Sequence, residues 1–193
     1  MRKTILCLVA TALLTPLSWA QAPVFEVTPI SSSVTFNVKS SVSIVGKFNQ
    51  WTASLTMKSP DVTTAAIDIK VQAASVNTGS GMKNGKLKSK DFFDVEQNPT
   101  ITFTSDHCVQ TGPYTFDVPG TFTIRGVSKP QTLQLTLTGK GTGNGTIKGS
   151  MYFDRKDYGM NGSIPFVTIA DRVQVDVDLK AKKVSGPAVV FKQ

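Results

Sequence analysis

Val173-Gln174-Val175-Asp176-Val177-Asp178-Leu179 alternates apolar with polar residues without a break. Successive side chains of an extended strand point to opposite faces. Period two therefore puts Val173, Val175, Val177 and Leu179 on one oily wall, and Gln174, Asp176 and Asp178 on a wet one. Strands with one greasy and one wet face belong to antiparallel sheets.

The same alternation recurs along the chain. Val34, Phe36 and Val38 alternate with polar residues, as do Trp51, Ala53, Leu55 and Met57, and then Ile67, Ile69 and Val71. It returns at Ile101 and Phe103, at Phe116, Val118, Phe122 and Ile124, at Leu133, Leu135 and Leu137, and at Ile147, Met151 and Phe153. Turn residues punctuate the runs, as in Ser59-Pro60-Asp61, Thr111-Gly112-Pro113, Ser128-Lys129-Pro130 and Gly141-Thr142-Gly143-Asn144-Gly145. Residues 47–58 read as one long strand, roughly 40 Å at about 3.3 Å per residue. Eight or nine such runs must hide their inner faces together, by closing into a barrel or by stacking two sheets. The break at residues 77–97 holds the one helical site, a short lysine-rich stretch at 82–90 followed by Phe92-Phe93.

The first twenty residues stand apart from this pattern. Arg2 and Lys3 precede an apolar run at 5–14, and Ser18-Trp19-Ala20 is a small-x-small cleavage motif. That is the layout of a secretory signal peptide, so residues 1–20 are expected to be removed and 21–193 to form one domain in the periplasm. The apolar run is too short to span a hydrocarbon core of roughly 30 Å. Without Arg2 and Lys3 the formal charge of +8 falls to +6. Export and the scatter of the lysines point away from nucleic acid and toward anionic membrane surfaces or a phosphorylated ligand. Cys108 is then the sole cysteine, so no internal disulfide is expected.

Catalytic constellations are sparse. The single histidine, His107, sits beside Cys108, and neighbours on an extended strand point apart, so a Cys–His dyad is not expected. One histidine and one cysteine do not make a zinc site. Neither a phosphate loop nor a nucleophile elbow is present. Asp176 and Asp178 read as solvated strand positions, and Asp154, Arg155 and Asp157 as an ion-pair cluster at a barrel end or, less readily, a head-group contact. The chain does not read as an enzyme.

Several stretches resemble the YceI-like polyisoprenoid-binding family. They are Ser75-Val76-Asn77-Thr78-Gly79, Leu87-Lys88-Ser89-Lys90-Asp91-Phe92-Phe93-Asp94-Val95 and Asn98-Pro99-Thr100-Ile101-Thr102-Phe103. Gly120-Thr121-Phe122-Thr123-Ile124-Arg125-Gly126-Val127-Ser128-Lys129-Pro130 and Asp154-Arg155-Lys156-Asp157-Tyr158-Gly159 continue the likeness in order. The resemblance implies an all-β fold, an extended eight-stranded antiparallel β-barrel, lipocalin-like, with a short helix near one end. It also implies that the bore holds a long isoprenoid lipid or quinone as ligand, with no further cofactor and no metal. The sequence departs from the family where many members carry Arg-Asp-x-His-Leu. Here Lys83-Asn84-Gly85-Lys86-Leu87 stands instead, and Ser40 lies near the place of another common histidine. Head-group roles of those residues therefore do not carry over.

On this reading the bore lining is drawn from the inward alternate set: Val34, Phe36, Val38, Trp51, Leu55, Ile67, Ile69, Phe103, Phe122, Ile124, Leu135, Met151, Phe153, Val175 and Val177. Phe92 and Phe93 plug or gate one mouth, or pack as ordinary core. Lys83, Lys86 and Arg155 are the candidate head-group contacts. The expected partners are the isoprenoid lipid itself, a membrane donor or acceptor protein, and a second copy in a homodimer. The rival expectation is a ligand-free β-sandwich serving as an envelope interaction or stress-response module.

Overall fold

The computed structural model describes residues 21–41, 44–139, 142–163 and 166–192; the expected signal peptide lies outside them. In chain order the elements are β1 (Val24–Ser40), β2 (Ile44–Phe48), β3 (Trp51–Met57), β4 (Ala65–Gln72), β5 (Val76–Asn77), α1 (Gly81–Lys88), β6 (Thr100–Ser105), β7 (Val109–Gln110), β8 (Thr115–Ile124), β9 (Val127–Thr138), β10 (Asn144–Asp154) and β11 (Ile169–Ser185). The hydrogen-bonded order is β3-β4-β6-β8-β9-β10-β11-β1-β2-β5, with β7 paired to β8. Every pairing is antiparallel.

The sheet curls until its ends meet. Residues 47–58, expected as one strand, are bent at Asn49-Gln50 into β2, which pairs β1, and β3, which pairs β4. The bend has a local cause. The Asn49 amide donates to the Ser75 carbonyl at 3.1 Å and the Gln50 amide to the Ser75 hydroxyl at 3.1 Å, so a turn rather than a neighbouring strand takes these amides. Counting β2 and β3 as one bent strand, and setting aside the two-residue strands β5 and β7, leaves eight positions round the barrel, as expected. A seam remains where β3 runs alongside β1 without forming a ladder with it. There β1 slips register between Thr28 and Ser33, and Ser31 takes a left-handed φ of 67°.

Register carries the alternation inward. Val34, Phe36 and Val38 face Val177, Val175 and Val173 across β1 and β11, and Met151 and Phe153 face Val175 and Val173 across β10 and β11. All but Val175 of these are under 9% exposed, and they join one continuous apolar core. The lysine-rich stretch is helical over 81–88. Its N-cap Ser80 accepts from the Lys83 amide, and it buries none of its own residues. It therefore lies over the barrel end rather than within the core.

Candidate functional site

Two separate apolar cavities occupy the barrel interior. The near cavity, at the α1 end, has a volume of about 90 Å³, and the far cavity, at the opposite end, about 170 Å³. For scale, an apolar cavity of about 150 Å³ admits a benzene-sized guest. The bore that the family resemblance implies is thus divided. Strand register puts Val34, Val177, Gly149, Leu135 and Phe116 in one cross-strand row. Leu135 and Val177 reach over Gly149, where a side chain would otherwise stand, and this row marks the waist, with Val177 lining the near cavity and Leu135 the far one.

Most expected lining residues meet in the near cavity. Val34, Phe36, Val38, Ile69, Phe92, Phe93, Phe103, Phe122, Ile124, Met151, Phe153, Val175 and Val177 all line it. Leu55, Ile67 and Leu135 line the far cavity instead. Trp51 lines neither. It shares a face of β3 with Leu55 and packs partly against the core, but at the bend it borders a groove with Asn49, Gln50 and Thr52 instead. Ile44, Phe48, Ile101, Leu133, Met160 and Val173 join the near wall unforeseen, although Ile101, Leu133 and Val173 sit on the same alternating faces.

Aromatic rings close the α1 end. Phe93 stands edge-on to Phe36 at 6.3 Å and lies 6.0 Å from Phe48, which is itself 5.6 Å from Phe36. Across the cavity, Phe122, Phe153 and the fully buried Tyr158 form a second trio with centroids 5.1 to 5.5 Å apart. Above Phe93, Lys83 and Leu87 sit one helical turn apart on α1 and share the mouth with Phe92.

The three basic candidates have different fates. Lys83 lines the mouth. Lys86 is turned to Asp91, at 2.6 Å, with its ammonium 5.9 Å over the Phe92 ring. Arg155 is buried, and its guanidinium is committed to the protein. Nη1 donates to the Met160 carbonyl at 2.5 Å and to that of Gly162 at 3.1 Å, Nε donates to Ala170 at 3.3 Å, and Nη2 meets the Asp171 carboxylate at 3.0 Å. With four contacts for its five N–H donors, the guanidinium holds the 155–162 turn to β11. The expected cluster of Asp154, Arg155 and Asp157 is therefore resolved differently. Asp154 caps the turn by accepting from the Lys156 amide, Asp157 meets Lys129 at 3.4 Å, and Asp171 is the partner of Arg155. A hydrogen bond from Lys156, aided by the charges of Lys156 and Arg155, holds the Asp171 carboxyl below the usual range.

His107 and Cys108 do not meet. His107 is exposed and bonded to Asp106 at 2.6 Å, whereas the buried Cys108 thiol donates to the Val62 carbonyl at 3.0 Å and lines the far cavity. Among the described residues no three His, Cys, Asp or Glu side chains gather closely enough to hold a metal ion.

A model of the YceI-like domain matches residues 25–181. A UPF0312 protein of Pseudomonas syringae pv. syringae (strain B728a) is 28% identical over 127 residues, 63% of this chain and 66% of that relative, just under two thirds of its length. The crystal structure of Burkholderia cenocepacia BcnA superposes with a TM-score of 0.73 at 24% identity, covering 80% of this chain and 99% of that one. A polyisoprenoid binding domain from Saccharophagus degradans superposes with a TM-score of 0.66 at 16% identity, covering 83% and 99%. At such identities the two structures speak for the fold.

Proposed function

We propose that this chain, which belongs to the YceI-like domain family, sequesters the tail of a long-chain isoprenoid lipid inside its barrel and does so in the periplasm. The supporting observation is the chemistry of the wall. Among the residues lining the near cavity, Lys83, Thr102 and Arg155 alone carry polar side chains, and the guanidinium of Arg155 is already satisfied. A sugar or nucleotide would lose its hydrogen bonds to water there at a cost of several kcal/mol, whereas a hydrocarbon loses none. The ligand class comes from the family resemblance and from the description of the S. degradans domain.

Burial of a prenyl tail contributes about 0.8 kcal/mol per methylene-sized group, offset by the ordering of the chain. Opening the waist subtracts further, because a protein whose binding-competent state is rare binds more weakly in proportion. Dispersion and burial carry little shape information, so such a site accepts tails of different length, with affinity rising as more of a tail is buried, and either an alcohol, a phosphate or a quinone at the head. Lys83, at the mouth, is the residue placed to meet an anionic head group. A water-insoluble ligand implies a membrane donor and acceptor.

The packed waist favours one rival, a ligand-free barrel acting as an envelope interaction module. The test is organic-solvent extraction of protein purified from cells, followed by mass spectrometry. A co-purifying prenyl lipid supports the carrier. A clean extract, together with no uptake of added polyprenol or quinone, would leave the rival standing.

A further inference from the structure

The far cavity is floored by a part of the chain that lies beyond the family match. The matched span ends at residue 181, and after β11 the chain turns at Gly186 and crosses the barrel end as residues 187–192. This crossing is firmly tied. The Val62 amide donates to the Val190 carbonyl at 3.0 Å and the Val190 amide to the Pro60 carbonyl at 2.8 Å, making a parallel bridge. Gln110 and the Lys192 backbone exchange two hydrogen bonds of 2.8 and 2.9 Å. The Lys183 ammonium donates to the carbonyls of Gly186 and Pro187 at 3.0 and 3.2 Å.

The crossing alternates like a strand. Val190 is 60% exposed, while Val189 and Phe191 face the far cavity and Phe191 packs its ring 6.2 Å from Phe116. Around them stand Leu55, Ile67, Val118 and Ile147. The far cavity is thus a mainly apolar end chamber, floored in part by two apolar side chains that belong to this segment.

The two cavities lie in series. Val173 lines the near one and Ala181, on the same strand and face, the far one. Eight residues at about 3.3 Å, tilted by roughly 40° to a barrel axis, span roughly 20 Å. A tail entering at the α1 mouth fills the near cavity first. If it is longer, it must push past Leu135 and end in the chamber beneath the waist.

We infer that the far cavity is a tail-tip subsite, in which Val189 and Phe191 read the end of the lipid and so set the preference for long tails over short ones. This rests on the reading of the barrel as an isoprenoid carrier. Short tails stop above the waist and never touch residues 189 and 191, whereas long ones bury their terminal isoprene units against them.

The experiment titrates a ladder of polyprenols, each one isoprene unit longer than the last, into the wild type and into Val189→Asp/Phe191→Asp, whose chamber floor is charged. In the wild type, tails long enough to pass the waist should bind about tenfold tighter or better than those that stop above it, a difference of about 1.4 kcal/mol. In the double variant that gain should vanish while short-tail affinity stays within about twofold. An identical length dependence in both proteins would overturn the inference, and so would an equal loss for short and long tails. Absence of binding to the wild type at every length would instead sink the carrier reading on which the inference stands. Should the double variant not fold, Phe191→Ser alone makes the same comparison with a neutral polar group.

Discussion

Leu135 folds over Gly149, into the space that a side chain at position 149 would fill. A Cβ there would also lie 3.0 Å from a methyl of Val177 and 3.2 Å from one of Leu133. Leucine and valine side chains from the two flanking strands, β9 and β11, therefore lean together over the bare backbone of β10. Side chains change rotamer far more readily than a ladder breaks, so this waist is a closure that a tail can displace.

Leu135→Ala should open the waist and join the two cavities. The expected cost is about 2–5 kcal/mol, the usual range for truncating a buried leucine, read from the urea midpoint at unchanged slope. Uptake of a long polyprenol should become faster than in the wild type. Gly149→Val should act in the opposite sense on uptake while costing about 1–3 kcal/mol through overpacking. Stopped-flow loading of the three proteins checks the pair; equal loading rates would mean that the waist does not stand on the lipid's path.

The Arg155–Asp171 pair predicts a pH dependence. The folded-state pKa of Asp171 is lowered, first by the hydrogen bond from Lys156 and then by the charges of Lys156 and Arg155. Its contribution to stability is thus fully present above the ordinary carboxylate pKa of about 3.9 and is lost as pH falls through the lowered folded value. Asp171→Asn should remove that part of the acid limb, so thermal midpoints of wild type and variant should converge as the pH falls below about 4. Parallel acid limbs would show that the pairing contributes nothing. Arg155→Met should cost more, on the order of 3 kcal/mol, because it leaves the carbonyls of Met160 and Gly162 without their donor.

The alternation at residues 173–179 was enough to read the inner and outer faces of β11, and by extension of β1 and β10, because a period of two admits no other arrangement of side chains on a pleated strand. The helix at 81–88 was legible for the same kind of reason, as a polar interruption between strands. The waist was not. It depends on volumes matched across paired strands, Leu135 filling the room over Gly149 as the Phe36 ring fills that over Gly46, and a glycine in a strand pattern reads as a gap rather than as room for a neighbour. The bend beside Trp51 depends on hydrogen bonds that the Asn49 and Gln50 amides donate to Ser75, and the partner of Arg155 is Asp171 rather than its near neighbours in sequence. Residues 187–192 carry too few alternating positions to announce a strand, and their place in the fold comes from the bridge to Pro60 and Val62.

Cys108 offers a reporter inside the far cavity. Its thiol is 5% exposed and donates to the Val62 carbonyl, and its pKa is pushed up by burial and then by the carboxylate of Asp61. The thiolate is the reactive form, so alkylation of the folded protein near pH 8 should proceed only as fast as the barrel end opens, while the denatured chain reacts at the rate of an ordinary cysteine with pKa of about 8.5. A raised folded-state pKa also means that the contribution of the neutral thiol to stability is complete below that ordinary value and is lost as pH rises through the folded one. Labelling by iodoacetamide, followed by intact-mass measurement, reads both effects. A polyprenol long enough to fill the far cavity should slow labelling further, and one that stops above Leu135 should leave the rate unchanged. Fast, complete labelling of the lipid-loaded protein would show that the chamber under Phe191 stands open to water, and a dry subsite there would be untenable.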